Sequence, residues 1–289
     1  HQALRPHDMV QLDVWGPFRE PSAVHGCTYL VGIVDMATGW MATYDRKTHT
    51  GEDMVECLRW YQSDLGAKVK RCRTDIGPEM AGGAFQQYLA DNQIVWEHSV
   101  PYVHEQVGGV ERRWGVLQAM ARTMMIRAKA SLKLWAEAML HATWLLNRQA
   151  DRTRGEEGEA STPYERMFGS KPDLSKARVF GSKAWLYLDK EQREHKLSET
   201  ATEGKFVGFT ANGAGYRVYA NGRFYDGKFV RFEESGVLSD APEAVDDSAA
   251  APADTALDGL EPEPAAPEHE DGVGAGGEMG QCGPVRWLP

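Results

Sequence analysis

The chain has 289 residues, of which 42% are hydrophobic and 26% are charged, and its formal net charge is −10. Residues 1–232 carry 31 Lys and Arg against 28 Asp and Glu, a net of +3, whereas residues 233–289 carry one Arg against 14 acidic residues, a net of −13. The acidic excess is therefore confined to residues 233–289, and the net charge of the chain does not exclude nucleic-acid binding by residues 1–232. The acidic segment is rich in Ala, Pro and Gly and poor in large apolar residues, so we expect a disordered linker.

Neither a membrane span nor a disulfide framework is indicated by the sequence. The longest apolar run, near residues 29–34, is far shorter than the roughly 18 residues that a span requires. No charged-then-apolar leader follows His1, so we expect neither secretion nor an anchor. The four cysteines lie far apart, without zinc-finger or Cys-x-x-Cys spacing, at Cys27, Cys57, Cys72 and Cys282. We expect the first three to be reduced, buried thiols.

The first half of the chain predicts three strands followed by alternating helices and strands. The three strands are joined by short turns, as in an antiparallel meander, and occupy residues 8–18, 27–35 and 40–47. A helix is predicted after Thr50, a favourable N-cap residue, and extends to Leu65. The next predicted elements are a strand, a helix and a strand, at 69–74, 83–92 and 95–100. This order is typical of an RNase H-like α/β fold, in which helices flank a mixed five-stranded sheet.

Two long helices and a small β-rich region complete the predicted fold. The helix at 110–130 has apolar residues every three or four positions, which makes one buried stripe, and a second helix follows at 132–150. Beyond residue 178, short β-like stretches alternate with glycine turns, as in a small β-barrel. We therefore divide the chain into a first domain, a connecting segment, a barrel and an acidic linker, at residues 1–150, 151–178, 179–232 and 233–289.

Three carboxylates stand at positions that suit a metal site. Asp13 lies between apolar neighbours in an interior strand, where an unpartnered ionised carboxylate would cost several kcal/mol. Asp75 closes a strand at a Gly-Pro turn, and Glu111 begins the long predicted helix after 35 intervening residues. Hard carboxylate oxygens suit Mg²⁺ or Mn²⁺, so we expect the three side chains to converge on a metal. The alternative for Glu111 is that it merely favours a helix N-terminus.

Six short motifs follow one another in the chain. They are Leu12-Asp13-Val14-Trp15-Gly16-Pro17, Thr74-Asp75-Ile76-Gly77-Pro78-Glu79, Pro101-Tyr102 with Gly108-Gly109-Val110-Glu111-Arg112, Leu134-Trp135-Ala136-Glu137-Ala138, Thr162-Pro163-Tyr164-Glu165 and Val179-Phe180-Gly181. In this order they resemble the integrase of copia-type LTR retrotransposons, over about residues 8–232. The resemblance implies a retroviral-type integrase core with the RNase H-like fold, followed by an SH3-like barrel at 179–232.

The resemblance also implies an activity. The family's catalytic carboxylates correspond to Asp13, Asp75 and Glu111, which would hold two divalent cations, Mg²⁺ or Mn²⁺. We assign Asp13 to both ions, Asp75 to one and Glu111 to the other. The expected reactions are DNA 3′-end processing and strand transfer by a polynucleotidyl transferase. The implied partners are element DNA, target DNA and further copies of the chain, in the nucleus, with no membrane and no small-molecule cofactor.

Four other polar residues near these carboxylates have competing explanations. Asp35 is expected to cap the turn that follows it. Glu79 either faces the site or lies on a solvated loop. His98 and His104 flank the loop before Glu111, and each either contacts DNA or the attacking water or has an ordinary surface role.

Two positions depart from the family pattern. Ile76 stands where the family usually has Asn, and Val107 replaces the Asn that normally precedes Gly108. Two alternatives to an integrase therefore remain: an RNase H-like nuclease, or a decayed copy that only binds DNA or other subunits. Basic residues at 68–73, at 112–127 and across the barrel are candidates for contacts with DNA phosphates.

Overall fold

The computed structural model describes most of the chain up to residue 234. The described residues are 4–75, 83–98, 104–151, 160–188, 190, 193, 195–210 and 213–234, and the side chains of residues 98 and 104–111 are not included in the description. The predicted linker after residue 234 lies outside the described residues, as do Ile76 and Glu79. The linker prediction therefore stays a prediction.

A mixed five-stranded sheet forms the first part of the structure. Its strands are β1 (Val10–Trp15), β2 (Tyr29–Asp35), β3 (Met41–Arg46), β4 (Arg71–Thr74) and β5 (Val95–His98). The first three form the predicted antiparallel meander, and β4 and β5 join in parallel to give the order β3-β2-β1-β4-β5. This strand order confirms the predicted RNase H-like fold class.

Helices cover both faces of this sheet, because alternate strand residues are apolar on both sides. They are α1 (Gly51–Leu65), α2 (Gly83–Asp91), α3 (His104–Ala128) and α4 (Trp135–Leu146). On β2, Val31 and Ile33 pack in the core that also contains residues of α1 and α2. Leu30 and Val34 pack in the second core, with residues of α3 and α4. The Asp13 site described below faces the second core.

Of two predicted helix starts, the structure confirms one and contradicts the other. Thr50 caps α1 as predicted, since its hydroxyl accepts the Asp53 N–H at 3.3 Å in a capping box. Helix α3 begins at His104, not at Val110, so the prediction that Glu111 opens this helix was wrong. The Gly108-Gly109 pair has poor intrinsic helix propensity and suggested a loop, but tertiary context overrides that preference.

A second sheet of five antiparallel strands follows. Its strands are β6 (Lys183–Tyr187), β7 (Ala201–Phe209), β8 (Tyr216–Ala220), β9 (Arg223–Gly227) and β10 (Val230–Glu233), in the order β10-β6-β7-β8-β9. β9 was not predicted from the sequence, and it follows a two-residue Asn221-Gly222 turn with positive φ at both positions. A further helix that was not predicted, α5 (Pro163–Phe168), lies within the predicted connecting segment. The predicted domain boundaries themselves stay predictions.

The second sheet packs against the helices of the first part. Phe180 and Val207 are buried in the same core as the apolar stripe of α3. The Lys205 ammonium donates to the Ala128 carbonyl at 2.6 Å, where the negative end of the α3 dipole favours a cation. On α4, the His141 ring lies 5.4 Å from the Phe206 ring, measured between centroids. The two sheets are therefore joined by a continuous apolar interface. None of the helices described is both long and apolar enough to cross a bilayer.

Candidate metal centre

Asp13 lies in the middle of β1, on the face covered by α3. Its cross-strand neighbour on β2 is Gly32. The side chain is half-buried, and its two oxygens accept different donors: Oδ1 the Val14 N–H at 2.9 Å and Oδ2 the Trp114 indole N–H at 2.8 Å. The buried part of the carboxylate is thus oriented by a helix residue 101 positions away.

Asp75 immediately follows β4, which is the parallel neighbour of β1. The parallel register pairs Val10 with Cys72 and Gln11 with Arg73. We expect Asp75 to lie opposite Asp13, on neighbouring strands about 4.8 Å apart, if this register continues by two residues. Both carboxylates would then project from the same face, because side chains alternate along each strand. Asp75 is exposed, so this side of the pair is open to solvent.

Trp114 docks α3 directly over Asp13. The indole is buried and lies on Gly32, where an added Cβ would approach its Cζ2 atom to 2.5 Å. Glu111 lies three residues before Trp114 and therefore on the same side of the helix, one turn away. The last residue of β5 pairs with Thr74, the last residue of β4. Both strands therefore end beside Asp75, and α3 begins after β5.

The position of Glu111 in α3 weakens the helix-terminus interpretation. Glu111 is the eighth residue of a helix that begins at His104, and the dipole effect falls off within the first turn. The Glu111 side chain lies outside the description, as do those of His98 and His104. Convergence of Glu111 with Asp13 and Asp75 therefore stays a prediction, supported by the helix position alone.

Asp35, the other acidic residue of the inner strands, has a structural role. It is fully buried, and its Oδ1 accepts the N–H and the hydroxyl of Thr38, each at 2.8 Å. Its Oδ2 accepts the His7 N–H at 2.7 Å. These donors confirm the predicted turn cap and compensate the buried charge.

The basic residues near β4 are engaged within the protein. Lys70 pairs with Asp8 at 2.7 Å, and Arg71 and Arg73 both contact Glu97, at 3.3 Å and 3.0 Å. The prediction that this run follows DNA phosphates is therefore weakened. Arg112, on the exposed side of α3, is not part of these pairs and stays a candidate.

The described part of the site fits a divalent cation. Two carboxylates on adjacent strands repel each other when both are ionised, and a cation between them removes that cost. A carboxylate has about four lone-pair positions, so donation from Val14 and Trp114 to Asp13 is compatible with metal binding. Sequence reasoning placed Trp114 in the buried stripe of α3 and missed its contact with Asp13, because no local pattern reveals the partner of an indole N–H.

Two protein families match the chain. Residues 3–104 match the family described as Integrase core domain, and residues 182–246 match the Retroviral polymerase SH3-like domain. The first part of the chain is therefore similar to an integrase core, and the part that contains the second sheet is similar to a retroviral SH3-like domain. The integrase match covers the whole mixed sheet, including Asp13 and Asp75, and the SH3-like match covers the second sheet.

Polyproteins of plant transposons are among the relatives of this chain. The Retrovirus-related Pol polyprotein from transposon TNT 1-94 of Nicotiana tabacum is 29% identical over 73% of this chain. The corresponding polyprotein from transposon RE1 of Arabidopsis thaliana is 24% identical over 81% of this chain. The chain spans 16% of the length of each of these polyproteins.

Two solved integrase structures are also similar. The HTLV-2 integrase catalytic core domain in complex with magnesium is 20% identical, with coverage of 57% of this chain and 99% of that chain and a TM-score of 0.46. The simian T-cell lymphotropic virus intasome in complex with PP2A regulatory subunit B56 gamma is 18% identical, with coverage of 78% and 77% and a TM-score of 0.47.

Proposed function

We propose that this chain is the catalytic region of a retrotransposon integrase, which processes DNA 3′ ends and joins them to target DNA. The observation that supports this most is the β1/β4 register, from which we expect Asp13 and Asp75 to lie on neighbouring strands. The integrase core match, residues 3–104, contains both residues. The activity, the substrates and the metal dependence are proposals for this chain.

Asp13, Asp75 and Glu111 would hold the metal in this proposal. Two divalent cations, when bound, lower the pKa of the attacking hydroxyl and stabilise the departing oxygen of a phosphodiester. The three acids act as ligands and not as proton donors. Trp114 fixes the orientation of Asp13 through its indole N–H, so that the carboxylate does not have to reorganise when the site is loaded.

The proposed partners are element DNA, target DNA and further copies of the chain. A net charge of +3 on residues 1–232 is small for a DNA-binding enzyme, and several strand cations are paired internally. The chain alone should therefore bind DNA weakly, with strong salt dependence and without base readout. Additional subunits would supply further phosphate contacts. A nuclear location follows from this proposal.

An RNase H-like nuclease is the second candidate, because the same carboxylates would serve hydrolysis. A decayed copy is the third, because Ile76 and Val107 replace polar residues of the family pattern. Both alternatives retain the fold but predict different DNA products.

A product assay distinguishes the three. The full chain is incubated in Mg²⁺ with labelled DNA carrying the element ends and with unlabelled target DNA. An integrase gives labelled products longer than the substrate, a nuclease gives only shorter ones, and a decayed copy gives neither. Asp75→Asn is the control for contaminating activities, since products that it retains do not come from this site. Absence of joined products from the wild type, with the element ends verified, would reject the integrase proposal.

A further inference from the structure

Three side chains with different donor atoms converge near the outer edge of the mixed sheet. His25 precedes β2 in the loop from β1, Cys27 follows it two residues later, and Asp45 lies on β3. A nitrogen of His25, the sulfur of Cys27 and a carboxylate oxygen of Asp45 all lie within 4.8 Å of one another. His25 Nδ1 and Asp45 Oδ2 are separated by 3.4 Å.

The loop that carries His25 and Cys27 is fixed by its own hydrogen bonds. Ser22 accepts the Cys27 N–H on its hydroxyl and the Gly26 N–H on its carbonyl, each at 3.0 Å. Gly26 has a φ of +66°, which favours glycine and closes the turn between the two donors. The Thr28 N–H donates to the Arg46 carbonyl at 3.0 Å, next to Asp45. The loop and the strand are therefore held together before any ligand binds.

Burial makes a cation favourable at this cluster. The side chain of Asp45 is 4% exposed and that of His25 is 26% exposed, while Cys27 is fully buried. Among the residues that the structure describes, the Asp45 carboxylate has one hydrogen-bond partner, His25, at a distance beyond the usual 2.7–3.2 Å range. Arg217 of the second sheet attracts Asp45 electrostatically, but its guanidinium donates to Asp226 at 2.9 Å and 3.0 Å. A buried carboxylate with so few donors is costly unless a cation compensates its charge.

The donor set points to one class of cation, and the separation of two of its donors fits the same class. Ligand atoms bound tetrahedrally to zinc, with bonds of about 2.0 to 2.2 Å, lie about 3.3 to 3.6 Å apart. The 3.4 Å separation of the His25 and Asp45 donors falls within that range. Imidazole nitrogen and thiolate sulfur select Zn²⁺ over Mg²⁺, which prefers oxygen alone.

We propose that His25, Cys27 and Asp45 form a zinc site, with the fourth position reached from solvent past the His25 ring. The site is distinct from the carboxylate pair, because Asp45 lies on β3, two strands away from β1. Zinc there links the β1–β2 loop to the edge of the sheet, close to Glu137 of α4 and Arg217 of β8. The bound ion stabilises the folded chain, since the three ligands are together only in that state.

Cobalt(II) is the probe that tests this site, because cobalt bound to thiolate has a sulfur-to-metal charge-transfer absorption that oxygen ligation lacks. The full chain, carrying Cys282→Ser to remove the tail thiol, is stripped with a chelator and titrated with Co²⁺. We expect one equivalent of Co²⁺ to produce the charge-transfer band, and Zn²⁺ to remove it. The band should disappear in Cys27→Ala. It should persist in Cys57→Ala and in Asp13→Asn, which change a different buried thiol and the other candidate site.

His25→Ala is the second variant, because the exposed edge of this side chain makes misfolding a smaller concern. Competition against a chromophoric chelator should show that His25→Ala binds Zn²⁺ at least about tenfold more weakly than its parent. Absence of the charge-transfer band in the parent, or an equal band in Cys27→Ala, would overturn the zinc proposal. An unchanged Zn²⁺ affinity in His25→Ala would also contradict it. None of these results depends on whether the chain joins DNA.

Discussion

The same face of the mixed sheet carries two groups of candidate metal ligands with opposite properties. The pair at the β1/β4 junction, Asp13 and Asp75, offers only oxygen and is open to solvent at Asp75. The cluster at the β3 edge, His25, Cys27 and Asp45, offers nitrogen, sulfur and oxygen and is largely buried. Hard, exposed oxygens suit a cation that keeps part of its water shell, as Mg²⁺ does, whereas mixed buried donors suit Zn²⁺. Donor type and burial therefore assign different ions to two positions on one sheet.

Asp35 shows what a buried strand carboxylate looks like when no cation is needed. It accepts hydrogen bonds from His7 and Thr38, which together supply three donors at 2.7–2.8 Å. Asp45 has one donor, at 3.4 Å, among the described residues. The number and distance of internal donors thus separate a structural aspartate from a candidate ligand.

The largest effect is expected from Asp13→Asn. Losing a ligand charge should reduce strand transfer in Mg²⁺ by at least about 100-fold, since metal stabilisation of the transition state is worth several kcal/mol. Thermal stability should change little, because the relief of carboxylate repulsion offsets the loss of the acceptor for the Trp114 N–H. Asp35→Asn is the matched control. It should lose about 1–3 kcal/mol of stability, because the single amide oxygen cannot serve both Thr38 and the His7 N–H, while its strand transfer is retained at temperatures where it is folded. Equal effects of the two substitutions on joining would contradict the comparison.

The pKa of Glu137, on α4 near the β3 edge, reports how strongly this part of the protein is buried. Burial raises the pKa of this carboxyl to about 7 from its usual 4.5, and the negative charge of Asp45 adds to the rise while Arg217 and His25 oppose it. The folded chain therefore holds a proton that the unfolded chain releases between about pH 4.5 and pH 7. The stabilisation from this group is complete below that window and is lost as the pH rises through it.

Glu137→Gln should remove this dependence without added metal. At pH 8 the variant should be more stable than the wild type by on the order of 3 kcal/mol, and the difference should shrink toward pH 5. Urea denaturation of both proteins across this range measures the difference directly. His141, whose pKa burial lowers to about 4, contributes with the opposite sign to both proteins and cancels in the comparison. A stability difference that is independent of pH would show that Glu137 is not a buried, protonated acid.

Gly32→Ala tests the docking of α3 over the oxygen site. The new methyl group would overlap the Trp114 ring, which lies 2.5 Å from the Cβ position, so we expect a loss of about 1–3 kcal/mol in urea denaturation. Gly115→Ala, on α3 itself, is the control. No atom lies within 4 Å of its Cβ position, and alanine should stabilise the helix by up to about 1 kcal/mol. Equal stability changes in the two variants would contradict the described packing of Trp114 on β2.

Trp114→Phe is expected to have the smallest effect and isolates the hydrogen bond to Asp13. The ring is kept but the N–H is lost, so Mn²⁺ affinity should fall about fivefold, which corresponds to about 1 kcal/mol. Trp135→Phe is a matched control, because that indole is also buried and donates to the Glu20 carbonyl at 2.7 Å, away from Asp13. Its Mn²⁺ affinity should be unchanged. A loss of affinity in both variants would indicate a general packing effect.

Local signals in the sequence account for much of the fold. The meander and the Thr50 cap were predicted because turn residues and N-caps act over a few positions. The α5 helix carries the same kind of signal, since Thr162 and Glu165 form a capping box, but at six residues it is too short for hydrophobic periodicity to reveal. The start of α3 was wrong because the glycine pair is overridden by tertiary context.

The candidate sites also contain some residues that local sequence signals predict and others that only tertiary structure brings together. Asp13 and Asp75 could be proposed from their apolar strands, since a carboxylate in such a setting needs an explanation. The Trp114 contact and the Asp45 cluster could not, because their partners are brought together by strand register and helix docking. The cysteine spacing gave no indication of zinc for the same reason, since the third ligand comes from a different strand.

Strand transfer by Glu111→Gln tests the central claim most directly. The full chain and this variant are compared in Mg²⁺ on the same labelled DNA, with melting temperatures measured on the same preparations. Glu52→Gln, a change of the same kind at the exposed start of α1, is the control and should join DNA normally. We predict that Glu111→Gln loses joining by at least about 100-fold while its melting temperature stays the same or rises slightly. If Glu111→Gln joins DNA as well as Glu52→Gln does, the three-carboxylate assignment is wrong.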